Sequence, residues 1–88
     1  MIKVALTANL QKYFPKSKLE IEANSVLDLL KKMDQIEAHF SSYILEDNKN
    51  VRKHVNIFID GQLLPKTETD RKLKSGQTVH IMQALSGG

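Results

Sequence analysis

Ser86-Gly87-Gly88, on which the sequence closes, are the residues with the most chemical potential. Glycine has no Cβ, so a diglycine takes almost any backbone conformation and threads a channel too narrow for side chains. With Gly88 as a free end, its carboxylate becomes a group that can be delivered into another protein's active site, and Gly87 is the slim approach to it. The plain alternative is a frayed end without a role. Elsewhere the chain offers little chemistry of its own. It contains no cysteine, which removes thiolate nucleophiles, disulfides and zinc–thiolate sites together. His39, His54 and His80 lack a spacing that gathers metal ligands, and a lone strand histidine such as His80 is ordinarily a surface residue. There is no Gly-rich phosphate loop, no paired-carboxylate site and no nucleophile–base pair. These absences point away from an enzyme and towards a carrier or a binding module.

The elements that must position this end belong to one small domain. Eighty-eight residues, 41% hydrophobic and 26% charged, suffice for a single core. The expected bounds are 1–84 for the domain and 85–88 for a flexible tail. No signal-like opening and no run of membrane-spanning length is present, so the expectation is a cytoplasmic protein without membrane contact. The formal charge of +3 comes from lysines interspersed with acids, a solvated surface that suits an acidic partner better than nucleic acid. Lys49, Arg52 and Lys53 form the densest basic cluster but lack the interleaved stacking aromatics of a single-strand binder. Lys72 and Lys74, before the final strand, are candidate contacts for acidic residues of a partner.

Hydrophobic periodicity sets out strand, strand, helix, then further strands. Ile2, Val4 and Leu6 alternate with polar or small residues as a half-buried strand. After a polar connection from Asn9 to Lys18, in which Phe14 is expected to fold back onto the core, Leu19 and Ile21 alternate with Glu20 and Glu22. Ser25 and Asp28 make a helix-start signal, and Val26, Leu29, Leu30, Met33 and Phe40 follow at helical spacing, predicting a helix of about four turns. Ser41 to Lys53 reads as a loop with a short strand or a turn of helix. Val55, Ile57 and Ile59 form a strand before the Asp60-Gly61 turn, Gln62 to Leu64 return, Leu73 anchors a polar crossover, and Gln77 to Ala84 is the last strand.

Alternation along the strands predicts the docking face. With Val55, Ile57, Ile59, Val79 and Ile81 towards the helix, Phe58, His80 and Met82 face the other way, where a solvated antiparallel face should be polar. Phe58 and Met82, with Leu85 at the root of the tail, would make an exposed apolar patch of the kind that marks a partner surface. The alternative is a second small core, with Ser41–Lys53 covering that face through Tyr43 or Ile44.

The segments Val55-Asn56-Ile57-Phe58-Ile59-Asp60-Gly61, Leu73-Lys74-Ser75-Gly76-Gln77-Thr78-Val79-His80-Ile81 and Ala84-Leu85-Ser86-Gly87-Gly88, in this order, resemble the ubiquitin-like sulfur carriers of the MoaD/ThiS family over essentially the whole chain. The resemblance implies an α+β fold of the β-grasp type, a mixed sheet of four to five strands with one helix across it. It implies no bound cofactor and no metal. An E1-like adenylating enzyme would use ATP to activate the Gly88 carboxylate, a persulfide donor would convert it to a thiocarboxylate, and a synthase subunit would accept the sulfur in a molybdopterin, thiamin or related pathway. Gly88 is then the reactive site and Gly87 its approach, while Phe58, His80, Met82, Leu85 and Ser86 bind partners. Two other classes stay open. A protein modifier joined to lysines through Gly88 would leave conjugates in cell extract. An interaction module with an inert tail would work without Gly87 and Gly88.

Overall fold

The computed structural model describes residues 1–83. Strand β1 (Ile2–Leu6) leads into a single helical turn, α1 (Ala8–Gln11), and then β2 (Lys18–Ile21). Helix α2 (Val26–Ile36) follows, then one turn, α3 (Ser41–Ile44), and a small hairpin of β3 (Leu45–Glu46) and β4 (Asn50–Val51). Strand β5 (Val55–Ile59), its return β6 (Gln62–Leu63) and β7 (Thr78–Gln83) complete the described chain. The main sheet has the order β2-β1-β7-β5-β6. Strand β7 occupies its centre, parallel to β1 and antiparallel to β5, and so the strand that precedes the diglycine is hydrogen-bonded on both edges.

One face of this sheet is apolar, as the alternation requires. Ile2, Val4, Leu6, Ile21, Val55, Ile57, Ile59, Val79 and Ile81 are buried with Val26, Leu29, Leu30 and Met33 of α2 in one cluster. At the start of α2 the Ser25 hydroxyl accepts the Asp28 N–H at 3.1 Å, and the Asp28 carboxylate accepts the Asn24 N–H at 2.9 Å, a reciprocal cap. Asp28 also pairs with Lys32 at 3.3 Å, one turn on. The accepted Asn24 N–H holds the Asp28 carboxyl below its ordinary range; burial opposes it, and the Lys32 ammonium adds a lesser lowering.

The helix is shorter than its apolar spacing predicts. It ends at Ile36, with Glu37 in extended conformation and His39 in the left-handed region at φ 69°. Phe40 still reaches the core, fully buried and edge-on to Phe14 with ring centroids 4.9 Å apart. Met33 and Phe40 are seven residues apart, which keeps helical phase whether or not the helix continues between them. The exit is held by Asp34, whose two carboxylate oxygens accept the Ser41 N–H at 2.7 Å and the Ser41 hydroxyl at 2.6 Å. Those bonds give the chain polar partners outside the helix and turn it into α3.

Ser41–Lys53 does not cover the second face of the sheet. Its Ile44, Leu45 and Val51 enter the same core as α2, and the Val51 N–H donates to the Lys66 carbonyl at 2.9 Å. Tyr43 instead stacks on Tyr13, centroids 4.1 Å apart. The segment thus extends the helix layer sideways. The Asp60-Gly61 turn is a two-residue hairpin with both φ angles positive (49° and 84°), joining Ile59 and Gln62 in register.

Candidate functional site

Two features of this frame meet at β7: an open sheet face and the end from which the strand runs on towards Gly88. On the open face the cross-strand register aligns Leu63, Phe58, His80, Ala5 and Lys18 in one row from β6 to β2. The next rows place Asn56 beside Met82, and Thr78 beside Lys3 and Glu20. Phe58 is half-buried, His80 is exposed, and Met82 and Leu63 are 42% and 57% exposed. Phe58, Leu63 and Met82 are therefore an apolar patch open to solvent, with Lys3, Lys18, Glu20 and His80 around a shallow depression beside it.

The structure thus brings Phe58, His80 and Met82 to one face, as the alternation predicts. Leu63, not among the residues predicted for this face, is its most exposed apolar member. Its place was legible, because a two-residue Asp-Gly turn pairs Ile59 with Gln62 and hence Phe58 with Leu63. Gly87, Gly88, Leu85 and Ser86, together with the expected domain boundary at Ala84, lie outside the described residues.

The root of the final segment is fastened by the turn after β1. Asn9 Nδ2 donates to the Gln83 carbonyl at 2.9 Å, and the Gln83 N–H donates to Thr7 Oγ1 at 3.4 Å. Beyond it, Val55 is the register partner of Gln83, and the Lys66 ammonium donates to the Val55 carbonyl and, at 2.8 Å, to Asn56 Oδ1. Burial draws the Lys66 pKa below the ordinary lysine value. At the other end of β7, Asp60 accepts the Thr78 N–H at 2.9 Å and Gln77 Nε2 at 3.3 Å. Both ends of β7 are tied to neighbouring elements by side chains.

The described residues contain no group of three or more His, Asp or Glu positioned to hold a metal. No helix among them is long and apolar enough to cross a membrane. Every buried side-chain nitrogen or oxygen among them has a hydrogen-bond partner, which leaves no orphaned polar group aimed into a reaction site. The candidate site is a presenting surface, with a central strand leading away from it.

A mixed five-stranded sheet with its first and last strands adjacent and parallel, crossed by one three-turn helix, defines a β-grasp, ubiquitin-like protein. Among solved structures it is similar to a chain of the Amycolatopsis orientalis BexX/CysO complex, with a TM-score of 0.86 at 15% identity over 100% of both chains. It is likewise similar to small archaeal modifier protein 1 (SAMP1) from Methanosarcina acetivorans, with a TM-score of 0.80 at 24% identity over 99% of this chain and 95% of that one. A third such structure is a putative molybdopterin converting factor subunit 1 from Pyrococcus furiosus, with a TM-score of 0.74 at 21% identity over 96% and 97%. No curated protein matches the sequence. The ThiS family model matches residues 4–88, and the chain belongs to the ThiS family of ubiquitin-like sulfur carriers.

Proposed function

We propose that this protein carries sulfur as a thiocarboxylate on Gly88. The observation that carries the reading is the family match, which extends through the diglycine to residue 88. The chemistry follows from what a carboxylate lacks. Its delocalised negative charge repels nucleophiles and its oxygen is a poor leaving group, so it must first be activated. An E1-like enzyme supplies ATP; the Gly88 carboxylate oxygen attacks the α-phosphorus and pyrophosphate departs. The terminal sulfur of a persulfide then attacks the acyl carbon and AMP departs. A second thiol takes the inner sulfur as a disulfide, leaving an ionised thiocarboxylate. The carrier contributes position, since a nucleophile held on a chain reacts at high effective concentration. Ala84 to Gly88 span about 17 Å when extended, enough to enter a buried site while Phe58, Leu63, Met82 and Leu85 dock outside it. His80 and Ser86 border that contact. A sulfur-accepting synthase subunit uses the same face after loading, and ATP belongs to the activating partner.

The missing cysteines make the test direct. The purified chain is incubated with an E1-like enzyme, ATP and a persulfide donor, and then with a thiol alkylator. A single label mapped to Gly88 is the expected result. Absence of label under these conditions overturns the reading. Lysine-linked conjugates formed through Gly88 instead would assign the protein to the modifiers.

A further inference from the structure

The fold sorts the charges of this chain in a way that their order along the sequence does not show. Register places Lys18 at the end of β2 that lies beside Ala5, and Gln83 beside Val55. The Leu6 N–H donates to the Ser17 carbonyl, and the Val55 N–H donates to that of Arg52. Lys12, Lys16, Lys18, Arg52, Lys53 and Lys66 therefore all belong to the end of the sheet where Gln83 closes β7. Lys72 and Lys74, the cations nearest β7 in sequence, belong to the opposite end. Lys72 bridges to Ser25 at the start of α2, and the Leu73 N–H donates to the Asn24 carbonyl. Lys49 is also removed from the cluster it forms in sequence, since its carbonyl accepts the Thr69 hydroxyl beside the start of α2.

Compensation is just as uneven. Among the described residues the ion pairs are Met1 amine–Glu22, Lys32–Asp28 and Arg71–Glu68, all near the start of α2 or the start of β1. None of the six cations at the Gln83 end has a carboxylate of the described residues within ion-pair distance. Arg52 Nε donates to the Ser42 carbonyl, Lys66 is held on Asn56, and Lys12 lies 5.3 Å from the centre of the Tyr13 ring. Acids also lie nearby: Glu37, lining the cleft that Lys12 shares with Tyr13 and Tyr43, Glu46, opposite Asn50 on the small hairpin, Asp34, bonded to Ser41 next to the Ser42 that Arg52 contacts, and Glu20, which borders the same depression as Lys18. None of them pairs with a lysine or arginine among the described residues.

We infer that the end of the molecule from which β7 leads to Gly88 is a cationic rim that docks on an acidic protein surface, the one surrounding the entrance through which the partner receives the diglycine. The inference rests on the carrier function proposed above. Its physical basis is complementarity. Six cations with no ion pair among the described residues, gathered at the Gln83 end, attract an acidic entrance, orient the carrier with that end foremost and raise the encounter rate. The same arrangement serves nucleic acid poorly. Tyr13 and Tyr43 stack on each other, Lys12 lies over the Tyr13 ring, and Phe14 and Phe40 are buried, so the rim offers one partly exposed ring, Tyr43, where a strand of bases needs a series of them.

Two double variants of equal net charge separate position from overall charge: Lys16→Glu with Lys53→Glu at the rim, and Lys72→Glu with Lys74→Glu at the far end. The rate of Gly88 adenylation by the E1-like enzyme is measured against ionic strength. We expect the rim pair to lower that rate by about tenfold at low salt and to flatten its salt dependence, with the far pair near wild type. Equal effects of the two pairs would overturn the inference. A second arm involves no activation chemistry: poly-L-glutamate is titrated into isotope-labelled wild-type protein and the amide shifts are followed. Shifts confined to residues 12–18, 52–56 and 66 are expected, whether or not the enzyme accepts the chain. Shifts spread evenly over both ends, or tighter binding of a single-stranded RNA oligonucleotide at the same residues, would overturn it.

Discussion

Gly88 carries the chemistry of the proposed reaction, while the described core is built from residues between Ile2 and Ile81, so the two should separate on substitution. Gly88→Ala is expected to unfold at the wild-type temperature yet to accept no sulfur, because a methyl beside the carboxylate clashes in a channel shaped for glycine. The alkylation assay with a thermal melt checks both halves, and normal loading would remove the channel argument. Phe58 occupies the intermediate case. Its ring is half-buried between Leu63 and His80 in register, so Phe58→Ala should cost less than the roughly 3–5 kcal/mol of a fully buried ring while weakening capture by the activating enzyme more than tenfold. Chemical denaturation and a binding isotherm, run on one preparation, test that order. His39 is a residue-scale exception. It holds a positive φ without a glycine's freedom, so His39→Gly should raise stability by up to about 1 kcal/mol, relief of left-handed strain less the added entropy of the unfolded chain.

At the scale of elements, α2 depends on its polar first turn as well as its apolar side. Ser25→Ala removes the hydroxyl that accepts the Asp28 N–H and should cost about 1 kcal/mol. Asp28 adds a pH signature. Its carboxyl titrates lower when folded than when unfolded, chiefly because it accepts the Asn24 N–H. Its stabilisation is thus complete above the ordinary aspartate range and disappears as pH falls through the lower folded value. Asp28→Asn should therefore be less stable than wild type at neutral pH and converge with it in strong acid, in urea melts across that range. The start of this helix was legible because capping is local. Its end was not, since Phe40 stays in phase with Met33 although the backbone leaves the helix after Ile36. Single helical turns are also too short to show a period, which is why α1, with its buried Leu10, read as a polar connection.

At the scale of the whole molecule, residues 41–53 are the segment whose role changed most between sequence and structure. They contribute Ile44, Leu45 and Val51 to the one core and leave the second face of the sheet to Phe58, Leu63 and Met82. Ile44→Ala should accordingly cost about 2–5 kcal/mol, far more than a surface loop would register, and leave the open face competent to bind. Much of the architecture was present in local pattern. Strand alternation, the Ser25 cap and the Asp60-Gly61 turn each depend on neighbours within a few residues, and together they specified which face of each strand is apolar. The diglycine and the absence of cysteine likewise narrowed the chemistry before any contact was known. What could not be read there depends on which strands pair and which ends come together. The β1–β7 pairing puts Thr7 and Asn9 on the root of the tail, 74 or more residues away in sequence. The same pairing gathers Lys12, Lys16 and Lys18 with Arg52, Lys53 and Lys66 at that end while carrying Lys72 and Lys74 to the other. Local patterns are set by steric and hydrogen-bonding rules that act over one turn or one pleat, whereas a charge rim is made by residues that meet only when the sheet closes.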